Sequence, residues 1–144
     1  MTRMVDISDK PQVSRRARAS GLIILKPETI EKIKAGDVPK GDPLTVAKTA
    51  GIMAVKQTPE IIPLTHPIPI TSVNVDFEFE ENGARAEVEV KSKGQTGVEM
   101  EALTGVTTVL LTIWDMVKAF EKDEEGQYPT AKITDVRVIE KVKK

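Results

Sequence analysis

The sequence predicts an α+β domain in which helices cover one face of an antiparallel sheet, in the element order β-α-β-β-α-β with one extra short helix near the N-terminus. Three observations carry this. Residues 73–90 alternate apolar and polar about an Asn-Gly turn, as a hairpin with one buried face does. Residues 97 to about 122 repeat apolar side chains at helical spacing. A segment rich in valine and isoleucine, roughly Lys132 to Val142, then supplies a last strand.

The chain of 144 residues suits one domain with a core large enough to need no staples. Hydrophobic residues make up 40% and charged residues 30%, as in ordinary globular proteins. Lys and Arg total 21 against 22 Asp and Glu, so the formal charge of -1 argues against non-specific polyanion binding while leaving room for a local basic pocket. There is no cysteine, which excludes disulfides, thiolate nucleophiles and cysteine metal sites, and one histidine excludes multi-histidine metal sites. No run approaches ~18 apolar residues and the N-terminus lacks a signal-peptide pattern, so the expectation is a cytoplasmic protein with no membrane span.

Residues 1–14 read as a polar arm, ordered only if something holds it. The basic cluster Arg15, Arg16 and Arg18 precedes the first strand candidate, Leu22-Ile23-Ile24-Leu25. Pro27 opens a short helix with Glu28 and Glu31 at its positive end, and Gly36 caps it. Asp42 and Pro43 fit the N-cap and N1 positions of a second helix that runs to about Gln57. Its small residues Ala47, Ala50, Gly51 and Ala54 recur at threes and fours, which predicts close approach to another backbone. From Pro59 to Pro69, four prolines exclude helix and predict a rigid apolar loop around Ile61, Ile62, Leu64 and His66.

In the hairpin, Val73, Val75, Phe77 and Phe79 share a face with Ala84, Ala86, Val88 and Val90, leaving Asn74, Asp76, Glu78, Glu87 and Glu89 for solvent. Few aromatics and this acidic face disfavour RNA binding through the sheet. The long helix buries Ala102, Leu103, Val106, Val109, Leu110, Ile113, Val117 and Phe120. The last strand is part apolar on both faces, which predicts an inner or interface-covered position.

Chemistry is less sharply marked. On the long helix Glu101, Thr104, Thr108 and Asp115 fall within about 60° of one another, with Leu111 among them and Lys118 one turn beyond. This stripe fits a solvated face with Asp115–Lys118 pairing, a subunit contact or a pocket wall. Asp115 and Lys118 together suit proton transfer. A lone histidine such as His66 is more often structural than functional, although its rigid loop would hold an imidazole still. Lys40 lies beside a helix N-terminus that favours anions, while Lys48 and Lys56 read first as surface lysines. Gly94-Gln95-Thr96-Gly97 before the long helix resembles a phosphate-cradling start but is not a P-loop.

At Gly94-Gln95-Thr96-Gly97-Val98-Glu99-Met100-Glu101-Ala102-Leu103-Thr104 the chain resembles the cyclic pyranopterin monophosphate synthase family, the MoaC proteins of molybdenum cofactor biosynthesis. Further matching stretches are Met4–Ser8, Lys40-Gly41-Asp42 with Ala50-Gly51-Ile52, Ile62–Pro67, and Trp114-Asp115-Met116-Val117-Lys118-Ala119, in family order over nearly the whole chain. The resemblance implies a ferredoxin-like fold and a lyase that converts the cyclic dihydroguanosine triphosphate made from GTP to cyclic pyranopterin monophosphate and pyrophosphate. It also implies a hexamer of three dimers with pockets across the dimer interface. By motif, Asp115 and Lys118 resemble the acid–base pair and Lys56 a further catalytic or positioning lysine. Lys40 and His66 resemble triphosphate-binding groups, with Arg15 and Lys48 contributing. Glu99 and Glu101 resemble the pair that orients the guanine-derived ring, and Lys141 resembles a conserved lysine near the C-terminus.

No cofactor is implied beyond a divalent cation travelling with the triphosphate. Thr65 stands where many bacterial members have cysteine and Gln95 where they have lysine, and a glycine- and lysine-rich tail after Lys141 has no counterpart. The competing reading is a non-catalytic module on the same fold that binds a guanine nucleotide or pterin.

Overall fold

The computed structural model describes residues 1–144. Its elements are β1 (Val13–Ile24), α1 (Pro27–Ala35), α2 (Pro43–Lys56), the one-turn α3 (Thr58–Ile61), β2 (Ile70–Glu80), β3 (Gly83–Gly94), α4 (Glu99–Glu121) and β4 (Lys132–Lys143). The four strands form one sheet in the order β2-β3-β1-β4, with every neighbouring pair antiparallel. With α2 and α4 packed on one face, this is a ferredoxin-like sandwich.

β1 begins nine residues earlier than the apolar run Leu22–Leu25 indicates, and it takes in the basic cluster. The reason lies in which side of the strand is inside. Ala17, Ala19 and Ile23 are fully buried against the helices. Ala17, Ala19 and Gly21 are small because α4 runs close over β1: a side chain at Gly21 would stand 2.6 Å from the Leu110 Cδ1. Arg16 and Arg18 alternate onto the open face. There Arg16 pairs with Glu89 (3.4 Å) and Glu140 (2.7 Å), and Arg18 with Glu87 (2.6 Å) and Glu140 (3.5 Å). Polar alternation in a strand bonded on both sides hides it from a search for hydrophobic runs.

Three other expectations need correction. The proline-rich stretch does contain a helical turn, α3, because Pro59 sits in its first turn, where the missing N–H is not needed. The hairpin forms where expected, but Gly83 does not take the positive φ of a type I′ turn. It is glycine because a Cβ there would strike the Ile23 carbonyl oxygen of β1. β4 is an edge strand rather than an inner one, and its exposed Val136 and Ile139 account for the mixed pattern.

The helix signals read directly. Gly36 caps α1 at φ 74°, and the Asp42 side chain accepts from the Leu44 N–H at 3.1 Å at the head of α2. α1 lacks a side-chain cap of its own at Lys26. Glu121, fully buried at the end of α4, supplies one from a distance: its carboxylate accepts from the Lys26 N–H at 3.1 Å and from the Thr29 hydroxyl.

α4 is the one helix long and apolar enough to span a bilayer by length and composition, which the apolar-run reading of the sequence passed over. In the fold its apolar side packs between the sheet and α2. The two helices touch through glycines, with a Gly51 Cβ placed 3.4 Å from the Gly105 carbonyl oxygen and a Gly105 Cβ 2.7 Å from Val55 Cγ2 and 3.2 Å from Val88 Cγ1. The small-residue stripe of α2 therefore serves close helix approach, as expected.

Replacing Gly105 by alanine gains about 1 kcal/mol of helix propensity. It also forces overpacking against two buried valines, at a cost of about 1–3 kcal/mol. The expected net outcome is a lower melting temperature; a higher one would mean that the α2–α4 contact has slack.

Candidate active site

α4 displays its polar groups at two separate places, and the candidate residues gather around those places. At its C-terminal end Asp115 is held between two ammonium groups. Lys40 Nζ lies 3.1 Å from Asp115 Oδ2 and donates also to the Asp115 carbonyl at 3.0 Å. Lys118 Nζ lies 3.0 Å from Asp115 Oδ1. Lys118 reaches Asp115 because three residues make nearly one helical turn. Lys40 reaches it because Gly41, at φ 122°, turns the loop between α1 and α2 beside the end of α4.

The electrostatics of this trio follow from its hydrogen bonds. Bonds from Lys118 and then Lys40 hold the Asp115 carboxyl below the usual carboxylate range. Asp115 in turn holds the Lys118 ammonium above the usual lysine range. Free of ligand, the pair is thus fully ionised. A group that drew Lys40 away would return basicity to Asp115, because one of the two bonds that lower its carboxyl would be lost.

At the N-terminal end of α4 a cavity of about 340 Å³ is lined by His66, Thr96, Glu99 and Glu101 together with Arg3 and Lys10 of the arm. Arm residues 1–12 are thus not strand or helix, but they wall this cavity. Gln95 Nε2 donates to the Lys10 carbonyl at 3.0 Å, which fastens the arm to the loop before α4. Asp6 forms a local turn with the Ser8 N–H at 2.8 Å, and that bond holds its carboxyl low. Glu99 is within 3.7 Å of Lys141 Nζ on β4. Glu101 is only 2% exposed, and burial, with some help from Glu99, pushes its carboxyl above the usual range.

The remaining candidates divide by location. Lys56 ends α2, which runs antiparallel to α4, so it lies toward the Glu101 end and carries no ion pair. Arg15 opens β1, and its Nε donates to the Gly94 carbonyl at 3.0 Å at the same end of the molecule. Lys48 stands apart: its neighbours across a small cavity are Asp76, Glu87 and Glu89 at the β2–β3 edge, an acidic setting for a proposed phosphate contact. Arg3 and Lys10 of the arm line the cavity although neither is a candidate from the sequence. Nothing local in a polar terminal stretch signals what it will cover.

These residues now stand in a wider context. The MoaC family profile matches residues 4–143. The chain belongs to the MoaC family. Among curated MoaC relatives, a protein of Thermococcus kodakarensis is 60% identical over 141 residues, covering 98% of this chain and 90% of its own length. One of Pyrococcus abyssi is 60% identical with 98% and 89% covered, and one of Methanococcoides burtonii 61% identical over 140 residues with 97% and 88% covered. Each bears the name probable cyclic pyranopterin monophosphate synthase.

The raised Glu101 carboxyl sets a pH signature. Its folded form holds the proton more tightly than the unfolded chain, so its contribution favours folding at low pH and is lost as the pH rises through the raised value. Glu101→Gln should therefore raise the melting temperature at pH 7, and the gap from the parent should close as the pH falls to about 4. A lower melting temperature at pH 7 would show that the ionised carboxylate supports the fold.

Proposed function

We propose that this protein is a cyclic pyranopterin monophosphate synthase, a lyase of molybdenum cofactor biosynthesis. Its substrate is the cyclic dihydroguanosine triphosphate made from GTP, and its products are cyclic pyranopterin monophosphate and pyrophosphate. The observation that carries this is membership of the family over nearly the full chain with the Lys40–Asp115–Lys118 cluster assembled.

The geometry supports a site shared by two copies. Glu101 and Asp115 are fourteen residues apart on one unbroken helix, which is about 21 Å along its axis. One nucleotide-sized substrate would have to touch both ends. Between them the outer face of α4 carries Thr107 and exposed Leu111, and at its start exposed Met100 adjoins exposed Ile61, Ile62 and Leu64. An isologous, antiparallel contact of two such faces brings the Glu101 end of one copy to the Asp115 end of the other. Three such dimers make the hexamer of this reading, and the working compartment is the cytoplasm.

In each shared site Glu99 and Glu101 hold the guanine-derived ring. Glu101 is able to offer a proton from its raised carboxyl. Lys40, His66 and Arg15 take the phosphates, with Lys48 a weaker contributor in its acidic setting. Lys141 steadies Glu99, and Lys56 approaches the reacting ring. Drawing Lys40 onto a phosphate frees Asp115 to accept a proton from the substrate, and the Lys118 ammonium donates one in return. A divalent cation enters with the triphosphate, and no protein cofactor is required.

Product analysis with the cyclic triphosphate tests the reaction. Pyranopterin monophosphate and matching pyrophosphate are expected; intact substrate, under conditions where a relative turns over, would point to a binding module. Asp115→Asn or Lys118→Ala should lower kcat by about 10²-fold or more with the oligomer intact, and near-parent rates would remove them from the chemistry. Mixing inactive Glu101→Gln and Lys118→Ala chains through dissociation and reassembly should restore about a quarter of the sites, since half the dimers become mixed and each has one parent-like site. No recovery, with exchange verified, would place each site within one chain.

A further inference from the structure

Glu121 is the one fully buried ionisable side chain of the fold, and none of the roles above uses it. It closes α4, six residues after Asp115. Its carboxylate accepts from the Lys26 N–H at 3.1 Å and from the Thr29 hydroxyl, at the N-cap and third helical positions of α1. A capping box joins these same two positions within one helix; here a carboxylate from another helix joins them. The second oxygen, Oε1, is buried with no hydrogen-bond partner.

A Ser, Asp or Asn at position 26 would cap α1 locally, without the desolvation of a buried carboxylate. The chain has lysine there and places the acceptor on α4. Capping alone does not account for that choice. A remote acceptor adds register between the two helices. Ile30 and Ile33 of α1 are buried in the core, but apolar burial is non-directional and leaves α1 free to slide. The directed bonds to Glu121 stop the slide, and Lys26 Nζ also lies 3.5 Å from the Phe120 carbonyl.

The far end of the same segment carries Lys40. α1 rises about 13 Å over its nine residues. Beyond it the chain is bonded to itself: the Gly36 and Asp37 N–H groups donate to the Ile33 and Lys32 carbonyls, and the Gly41 N–H to the Val38 carbonyl, at 3.0–3.2 Å. A position set at Lys26 is therefore passed to Lys40 with little slack, and Lys40 meets α4 again at Asp115. The segment is a strut pinned to α4 at two points, about 9 Å apart along the helix axis.

We propose that Glu121 is a positioning residue for Lys40: by fixing the start of α1 to the end of α4, it holds the Lys40 ammonium against the Asp115 carboxylate. Its bearing on catalysis rests on the function proposed above, in which Lys40 passes from Asp115 to a phosphate; its hold on the Lys40–Asp115 contact does not.

Titration of the Asp115 carboxyl in the full chain tests this without substrate, by carbon-13 NMR with labelled aspartate and Asp115→Asn for assignment. Bonds from Lys118 and Lys40 hold the parent midpoint below the usual carboxylate range. Lys40→Ala removes one of them and sets the full upward shift. Glu121→Ala should raise the midpoint by about half that shift or more, because Lys40 is no longer held in place. Loss of a nearby negative charge acts in the opposite direction, so an upward shift reports displacement of Lys40. Glu121→Gln keeps an acceptor for both donors and should return the midpoint to the parent value or below. Thr29→Val removes one of the two bonds and should give a smaller upward shift; it decides the matter if Glu121→Ala does not fold. A merely structural Glu121 would lower the melting temperatures of Glu121→Ala and Thr29→Val yet leave the Asp115 midpoint unraised well below melting. That result overturns the proposal, as does a Lys40→Ala chain with no shift. A protein that shows these shifts but leaves the cyclic triphosphate intact keeps the positioning role and loses the synthase reading; an active enzyme with an unmoved midpoint does the reverse.

Discussion

The unbroken length of α4 is the constraint on which the rest depends. A 23-residue helix is stiff, and this one is fixed along its length by the sheet beneath it and by α2 beside it. Chemistry placed at its two ends cannot be brought together by bending. Either the ends serve different purposes, or a second copy supplies the missing half. The glycine contact between α2 and α4 adds to this, because it locks α2 against one side of α4, while Met100 and Leu111 on the outer face stay exposed. That face is neither charged enough for a solvated helix nor buried within the chain.

The electrostatic design differs at the two ends. Around Asp115 the charges are exposed and satisfied by one another, so the cluster is ionised at rest. Around Glu101 the carboxyl is buried and stays readier to hold a proton. Environments that push two carboxyls in opposite directions are how a single fold provides both an acceptor and a donor near neutral pH. At the strand ends the side chains of Arg15, Arg16, Lys91 and Lys144 gather around a third, cationic environment. That a formal charge of -1 coexists with such a pocket shows that net charge says little about local fields.

Much of the fold was legible because local signals agreed. Asp42-Pro43, Gly36 and the alternation through residues 73–90 each have one physical meaning. β1 was harder because its buried side is alanine and its visible side arginine, a pattern imposed by a helix lying close above. Glu121 was invisible because its partners, Lys26 and Thr29, lie far away in sequence. For the site, Asp115 and Lys118 were legible as a pair by spacing alone, but Lys40 joined them only through the fold. Most of the remaining roles came from the motif around Glu99 and Glu101. Spacing also put Glu101 and Asp115 on one stripe, as observed, although one end is buried and the other open. Arg3 and Lys10 gave no signal.

The central claim is that two copies of α4 cross antiparallel to complete each site. The chain has no cysteine, so single spin labels can be placed cleanly. Dipolar distances should be measured between like labels at Thr107, near the middle of the exposed face, and at Ala119, near the C-terminal end. An antiparallel crossing predicts a short Thr107 pair and an Ala119 pair longer by roughly 30 Å, since each label moves about 18 Å from the crossing point in opposite directions. An Ala119 pair as close as the Thr107 pair, or no coupling at Thr107, would contradict it.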